Sequence, residues 1–165
     1  MNETLYLQPR PAGPHAHAVS ALLYALVGPF DRGIGGPGGW RILFEPECHL
    51  HEEVLVPDLS GWSRVRMPRL PEGHRFTLVP DWVCEVLSPS SARTDRAIKM
   101  DLYAREGVPH VWLVDMAART VESYALEGGK YMRLACDAAD ATPRIAPFDA
   151  VALELKFLWD AEREE

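Results

Sequence analysis

Cysteine is scarce in this chain. Cys48, Cys84 and Cys136 are widely spaced, odd in number and form no CxxC pair. That argues against a disulfide framework and against a zinc knuckle. No apolar run approaches the roughly 18 residues that cross a bilayer. Met1-Asn2-Glu3-Thr4 has neither a basic region nor an apolar signal core, so the expected compartment is the cytoplasm, with no membrane association. Basic charge is also in deficit. Lysine and arginine total 17 against 24 acids, a net charge of −7. A high-affinity, non-specific nucleic-acid binder normally carries the opposite excess. A nuclease is not excluded, because acids gathered at a metal site are neutralised when the metal binds. Finally, the loop Gly33-Ile34-Gly35-Gly36-Pro37-Gly38-Gly39 lacks the Lys-Ser/Thr ending of a phosphate-binding loop, so it is not a nucleotide site.

What is present is ordinary for a globular protein: 47% hydrophobic and 25% charged residues in 165. One domain over residues 1–165 is the simplest organisation. Thr4 to Gln8 is a short strand candidate. Val19, Leu22, Leu23, Leu26 and Val27 predict an amphipathic helix over His15 to Val27, ended by Gly28-Pro29. Arg41 to Leu50 and Val54 to Leu59 read as two strands joined at His51-Glu52-Glu53. Arg64 to His74 reads as an exposed loop, and Thr77 to Leu87 as a strand. Ser88-Pro89-Ser90-Ser91 is a turn whose serines can cap a helix over Ala92 to Glu106, stopped by Gly107 and Pro109. Val111 to Val114, Thr120 to Leu126 and Tyr131 to Cys136 follow as strands. The apolar tail Val151 to Trp159 should pack back on the core. Strands with few helices predict a mixed α/β (α+β) sheet rather than a doubly wound fold.

Within Trp82 to Leu87, an apolar strand buried on both faces, stands Glu85. A carboxylate so placed must be paired, protonated or bound to a metal. Asp58 closes the strand Glu53-Val54-Leu55-Val56-Pro57. If the two strands are neighbours, both acids can reach one point, where magnesium accepts carboxylates, water and phosphate oxygens. Ile98 and Leu102 mark the expected inward stripe of the second helix. Asp95, Lys99 and Tyr103 line its border, so Lys99 can aim its ammonium along the sheet. A Glu85 salt bridge with Asp58 as a turn residue is the plainer alternative. His49-Leu50-His51 offers a histidine-based metal enzyme as a rival. His15-Ala16-His17, at a helix start, reads as solvated. The arginines cluster as Arg64, Arg66, Arg69 and Arg75, and as Arg93 and Arg96 beside Lys99.

Val56-Pro57-Asp58, then Pro80-Asp81-Trp82-Val83-Cys84-Glu85-Val86-Leu87-Ser88-Pro89-Ser90, then Asp95, Lys99, Tyr103, Gly107-Val108-Pro109 and Trp112-Leu113-Val114-Asp115 resemble the Uma2 endonuclease family. That family is a branch of the PD-(D/E)XK, restriction-endonuclease-like superfamily, and the likeness runs from about Leu5 to Trp159. The resemblance implies a restriction-endonuclease-like sheet flanked by two main helices, with additional C-terminal strands. It implies hydrolysis of phosphodiester bonds, in DNA, with Mg2+ or Mn2+ held by Asp58 and Glu85 and with the Val86 carbonyl as a further ligand. The superfamily lysine belongs two residues after the glutamate, where this chain has Leu87; the family's helix lysine maps to Lys99. Asp58, Glu85 and Lys99 are thus the expected catalytic set, with Arg93 and Arg96 on flanking phosphates. DNA is the expected partner, and a homodimer is compatible with the sequence. A catalytically silent DNA- or protein-binding module that keeps the fold is the alternative.

Overall fold

The computed structural model describes residues 12–88 and 92–159, without the side chains of residues 92, 94 and 95. The candidate strand over Thr4 to Gln8 and the serine cap at Ser90-Ser91 lie outside the described residues.

Helix α1 spans Gly13–Leu26 and opens with Pro14, whose missing N–H costs nothing in the first turn. Ala18, Leu22 and Leu26, spaced by four, are its buried line. The expectation that Gly28-Pro29 ends the coil is not met. The chain takes one wider turn over Val27–Asp31, closed by the Arg32 N–H on the Val27 carbonyl at 2.9 Å. The five-residue spacing of that bond passes over Pro29, which has no N–H to give.

Among the described residues nine strands follow: β1 Trp40–Phe44, β2 Glu47–Leu50, β3 Glu53–Leu55, β4 Leu59–Ser63, β5 Arg75–Phe76, β6 Trp82–Leu87, β7 His110–Asp115, β8 Thr120–Glu127 and β9 Lys130–Ala138. Helix α2, Ala92–Glu106, crosses between β6 and β7. Six strands form one mixed sheet in the order β1-β4-β6-β7-β8-β9, in which only β6 and β7 run parallel. A second, small sheet has the order β3-β2-β5.

Three expected strands are broken by local chemistry. The segment Arg41 to Leu50 divides at Glu45, whose φ of 46° turns the chain, so β1 and β2 enter different sheets. The segment Val54 to Leu59 divides at Val56-Pro57-Asp58, because proline cannot donate to a ladder. Pro80 in the same way confines the last stretch before α2 to Trp82–Leu87. Helix α2, by contrast, ends where the sequence places it. Gly107 at φ 79° lets the Val108 N–H reach the Tyr103 carbonyl and the Gly107 N–H reach that of Ala104, the paired bonds of a Schellman stop.

The sheet has a different core on each face. Trp82, Cys84 and Val86 point toward α1 and join Leu22, Leu26, Phe30, Trp112 and the tail residues Leu153, Leu155 and Leu158. Val83 and Leu87 point toward α2 and join Tyr103, Val108, Val111 and Leu113. The second face also receives Glu85. The tail therefore packs back as its composition suggests.

Phe148 is the hub of the first core. Its ring lies 4.8–5.6 Å from those of Phe30, Trp40, Trp82 and Trp112, mostly edge-on, an arrangement favoured beyond simple burial. Phe148→Ala should cost about 3–5 kcal/mol of stability, read as a lowered denaturant midpoint at unchanged slope. A loss under about 1 kcal/mol would mean that the segment carrying Phe148 is not part of the cooperative core.

Candidate active site

Alternation along β6 sends Glu85 into the second core, where it is 2% exposed. Helix α2 supplies both of its partners. The Lys99 ammonium donates to Oε2 at 3.0 Å, and the Tyr103 hydroxyl donates to Oε1. Burial is the largest influence on the carboxyl and drives its pKa up to about 7. The Lys99 charge opposes that shift, and the Asp58 charge adds to it. The same burial, and the carboxylate it faces, hold the Tyr103 hydroxyl well above the usual tyrosine range. Cys84, fully enclosed beside both acids, is likewise pushed far up and is an inert thiol.

The inward line of α2 differs from the apolar stripe expected from its pattern. Ile98 is 55% exposed, while Tyr103 is 2% exposed and Lys99 is part-buried. The reason is that Glu85 needs donors more than the second core needs another methyl group. The helix turns its polar line inward to supply them.

Asp58 sits at the mouth of β4. Strand β4 pairs antiparallel with β6, Leu59 opposite Cys84. Continuing that register sets Asp58 against Glu85 and Pro57 against Val86. Pro57 has no N–H, and its place in the ladder is taken by the Asp58 side chain, whose Oδ2 accepts the Val86 N–H at 2.7 Å. The N–H and C=O of one strand residue point the same way, so the Val86 carbonyl also faces the β4 side of β6. Among the described residues nothing donates to Asp58 Oδ1.

His15, from the first turn of α1, also approaches Asp58. Its Nε2 lies 3.3 Å from Asp58 Oδ2, and its buried Nδ1 has no hydrogen-bond partner among the described residues. The Asp58 contact raises its pKa above the ordinary histidine value, against burial, with smaller contributions from the Val86 backbone and the Glu85 charge. The expectation of a solvated His15 is not met. Only the tertiary approach of α1 to the β4–β6 junction gives it an acidic partner, and no local pattern announces that. Its neighbour His17 turns away to the Phe157 carbonyl at 2.9 Å.

The other histidine pair is not gathered. His49 contacts Glu47 at 2.6 Å and His51, in a turn with φ 51°, contacts Glu106 at 2.6 Å. Each ring is held by a different acid on a different element. Among the described residues no three His, Cys, Asp or Glu side chains stand grouped to hold a metal ion. Arg96 donates to Glu122 at 2.6 Å, which also accepts from the Tyr124 hydroxyl. Arg93 is exposed near the start of the same helix. Leu87 is 1% exposed within the second core.

A family model described as Uma2, putative restriction endonuclease, matches residues 1–156. The chain belongs to this family. A crystal structure from Anabaena variabilis, described as a putative nuclease belonging to DUF820, aligns with a TM-score of 0.71 at 25% identity, over 92% of this chain and 83% of that chain. No curated protein matches the chain. The mixed sheet with its two helices is thus a nuclease-like fold, and the Uma2 family together with this structural neighbour supports a nuclease function. No described helix is long and apolar enough to cross a membrane.

The Glu85 carboxyl has a pH signature. Its value of about 7 lies above the ordinary 4.5, so the folded protein keeps a proton there that the unfolded chain releases. The stability it contributes is full below the unfolded value and declines as pH rises through that window, by an amount on the order of a few kcal/mol. Glu85→Gln should flatten the decline, and at pH 8 in chelator it should be at least as stable as wild type. Thermal melts from pH 4.5 to 8 on both proteins test this. An equal decline in the mutant would place the titrating group elsewhere.

Proposed function

We propose that this Uma2 protein is a divalent-cation-dependent endonuclease of the PD-(D/E)XK kind, hydrolysing phosphodiester bonds in DNA. The observation that carries the proposal is the meeting of β4, β6 and α2. It sets a buried glutamate against a lysine, beside an aspartate that accepts the Val86 N–H through one oxygen and has no donor on the other among the described residues.

The donor set suits a hard cation. Asp58 Oδ1, a Glu85 oxygen and the Val86 carbonyl are all oxygens, and magnesium typically takes one or two carboxylates with water and phosphate completing its shell. Such a cation, when bound, polarises the scissile phosphate and lowers the pKa of a water. The remaining work belongs to the side chains. Asp58 is fixed through Oδ2 by the Val86 N–H, which leaves Oδ1 to serve a cation. Lys99, one-third exposed, can turn its ammonium from Glu85 toward the phosphoryl oxygens, where it orients the attacking water and offsets developing charge. Tyr103 continues to hold Glu85 in place while Lys99 is engaged. Arg93, exposed, is suited to a flanking phosphate; Arg96 would contribute one only by sharing its charge with Glu122.

One observation favours a second reading, a silent binding module that keeps the fold. Both Glu85 oxygens already have protein donors, so the glutamate is satisfied without a cation.

Cleavage and metal binding separate the two. Wild type should nick supercoiled DNA with millimolar magnesium or manganese, and the same ions should raise its melting temperature by mass action. Lys99→Met keeps the aliphatic stem and should lose about 100-fold or more in rate while retaining its circular dichroism spectrum. A wild type indifferent to both ions would make the module reading correct. Unchanged cleavage by Lys99→Met would remove the lysine from the mechanism.

A further inference from the structure

We propose that β9 is the contact edge of a homodimer. It pairs antiparallel with the β9 of a second copy of this chain, about a two-fold axis between Arg133 and Leu134, and joins the two six-stranded sheets into one. Neither a cation nor nuclease activity is needed for this contact.

The six-stranded sheet has two outer edges, and they are treated differently. On β1 the Asp31 carboxylate accepts the Ile42 N–H at 2.9 Å, and Arg64 Nε donates to the Trp40 carbonyl at 3.0 Å. Strand β9 has nine residues, and among the described residues nothing pairs with its outward backbone groups. The residues that carry those groups follow from β8. The Leu126 N–H goes to the Pro109 carbonyl at 2.9 Å, on the β7 side. Glu122 shares that alternation. Their partners on β9 are Tyr131 and Cys136, which therefore turn N–H and C=O to the open edge. Met132 and Leu134, 55% and 50% exposed, lie along it. A long edge with exposed apolar side chains is a template for another strand.

A second copy fits because one register meets three conditions together. With Tyr131 opposite Cys136 of the second copy, two outward-facing residues exchange both of their N–H···O bonds, and symmetry repeats the pair. A two-fold axis perpendicular to the sheet also requires opposed side chains to share a face. Tyr131 and Cys136 are an odd number of positions apart, which in a regular strand would set them on opposite faces. Here Leu134 is an extra residue, opposite the junction of Ser123 and Tyr124, and it restores the agreement. Tyr131 packs against the second core, and Cys136 lies opposite Glu122, which reaches Arg96 on α2. The third condition is charge. The same register sets Lys130 against Asp137 of the second copy, twice. Arg133, nearest the axis, has the Glu122 charge of its own chain close by. The contact is self-complementary, so it closes as a dimer, with both α2 helices on one face of the joined sheet.

The test uses the full chain. Sedimentation across the micromolar range should show a monomer–dimer equilibrium. Lys130→Glu and Asp137→Lys should each weaken it at least about tenfold, because symmetry repeats every like-charge contact. The double variant should recover most of that loss. Cys136→Pro removes an outward N–H, a change that an edge strand tolerates, and should leave a monomer. Thermal melts identify a variant that fails to fold, and the two charge reversals remain decisive if the proline does. Hydrogen exchange at the Tyr131 and Cys136 amides should slow as protein concentration rises. A dimer indifferent to the charge reversals and to Cys136→Pro would lie on another surface and overturn the proposal. Loss in both single reversals without recovery in the double would overturn the Lys130–Asp137 register. A wild type that stays monomeric throughout would overturn the second copy, and slow exchange of the two amides in that monomer would give the edge to a segment of the same chain.

Discussion

A carboxyl group enclosed in the apolar core beneath α2 dictates the arrangement around it. Glu85 is carried inward by the alternation of β6, and a strand cannot turn one residue outward without moving all the others. The fold must therefore bring donors to it. Lys99 and Tyr103 come from successive turns of one helix face, four residues apart, and each takes one oxygen. This requirement sets the rotation of α2 about its axis, leaves Ile98 outside and aligns the helix along β6. Few other single groups in the molecule constrain a whole element in this way.

The elements most legible in the sequence are those whose signals are local. Helix α2 has the expected span, Ala92–Glu106, because the Gly107 stop needs no tertiary context. The strands β7, β8 and β9 lie where apolar and turn residues alternate. The rotation of α2 was not legible. Apolar periodicity selects Ile98 and Leu102, and a buried acid on another element reverses the choice. The division of the middle strands was missed for a related reason. Pro57 and Pro80 are visible signals, but whether a proline ends a strand or marks an edge depends on which neighbour would have accepted its hydrogen bond.

For the candidate site, buried polarity was the useful clue. Glu85 stands out against its own strand, and Asp58 by its position after Pro57. His15 did not stand out, because its surroundings are assembled from α1, β4 and β6. Arg93 and Arg96, drawn from one basic cluster, differ once placed: one is exposed, and the other is anchored to Glu122, an acid within β8 that belongs to no recognisable motif. Sequence gives the residue types of such a cluster, and the sheet register decides which of them has a partner.

The Pro57-Asp58 corner and the β6–α2–β7 crossover differ in how far along the chain their contacts reach. Glu85 meets Lys99 and Tyr103 across 14 and 18 residues, within one strand-helix unit. Asp58 meets Val86 across 28, and His15 reaches Asp58 only after α1 has docked over the sheet. Closing the short loops costs less chain entropy than closing the long ones. The acid–lysine half is therefore a local assembly and the Asp58–His15 half a distant one. Undocking α1 and the end of β4 would dismantle the second while leaving the first in place, so the site can lose its outer wall without the protein losing its centre.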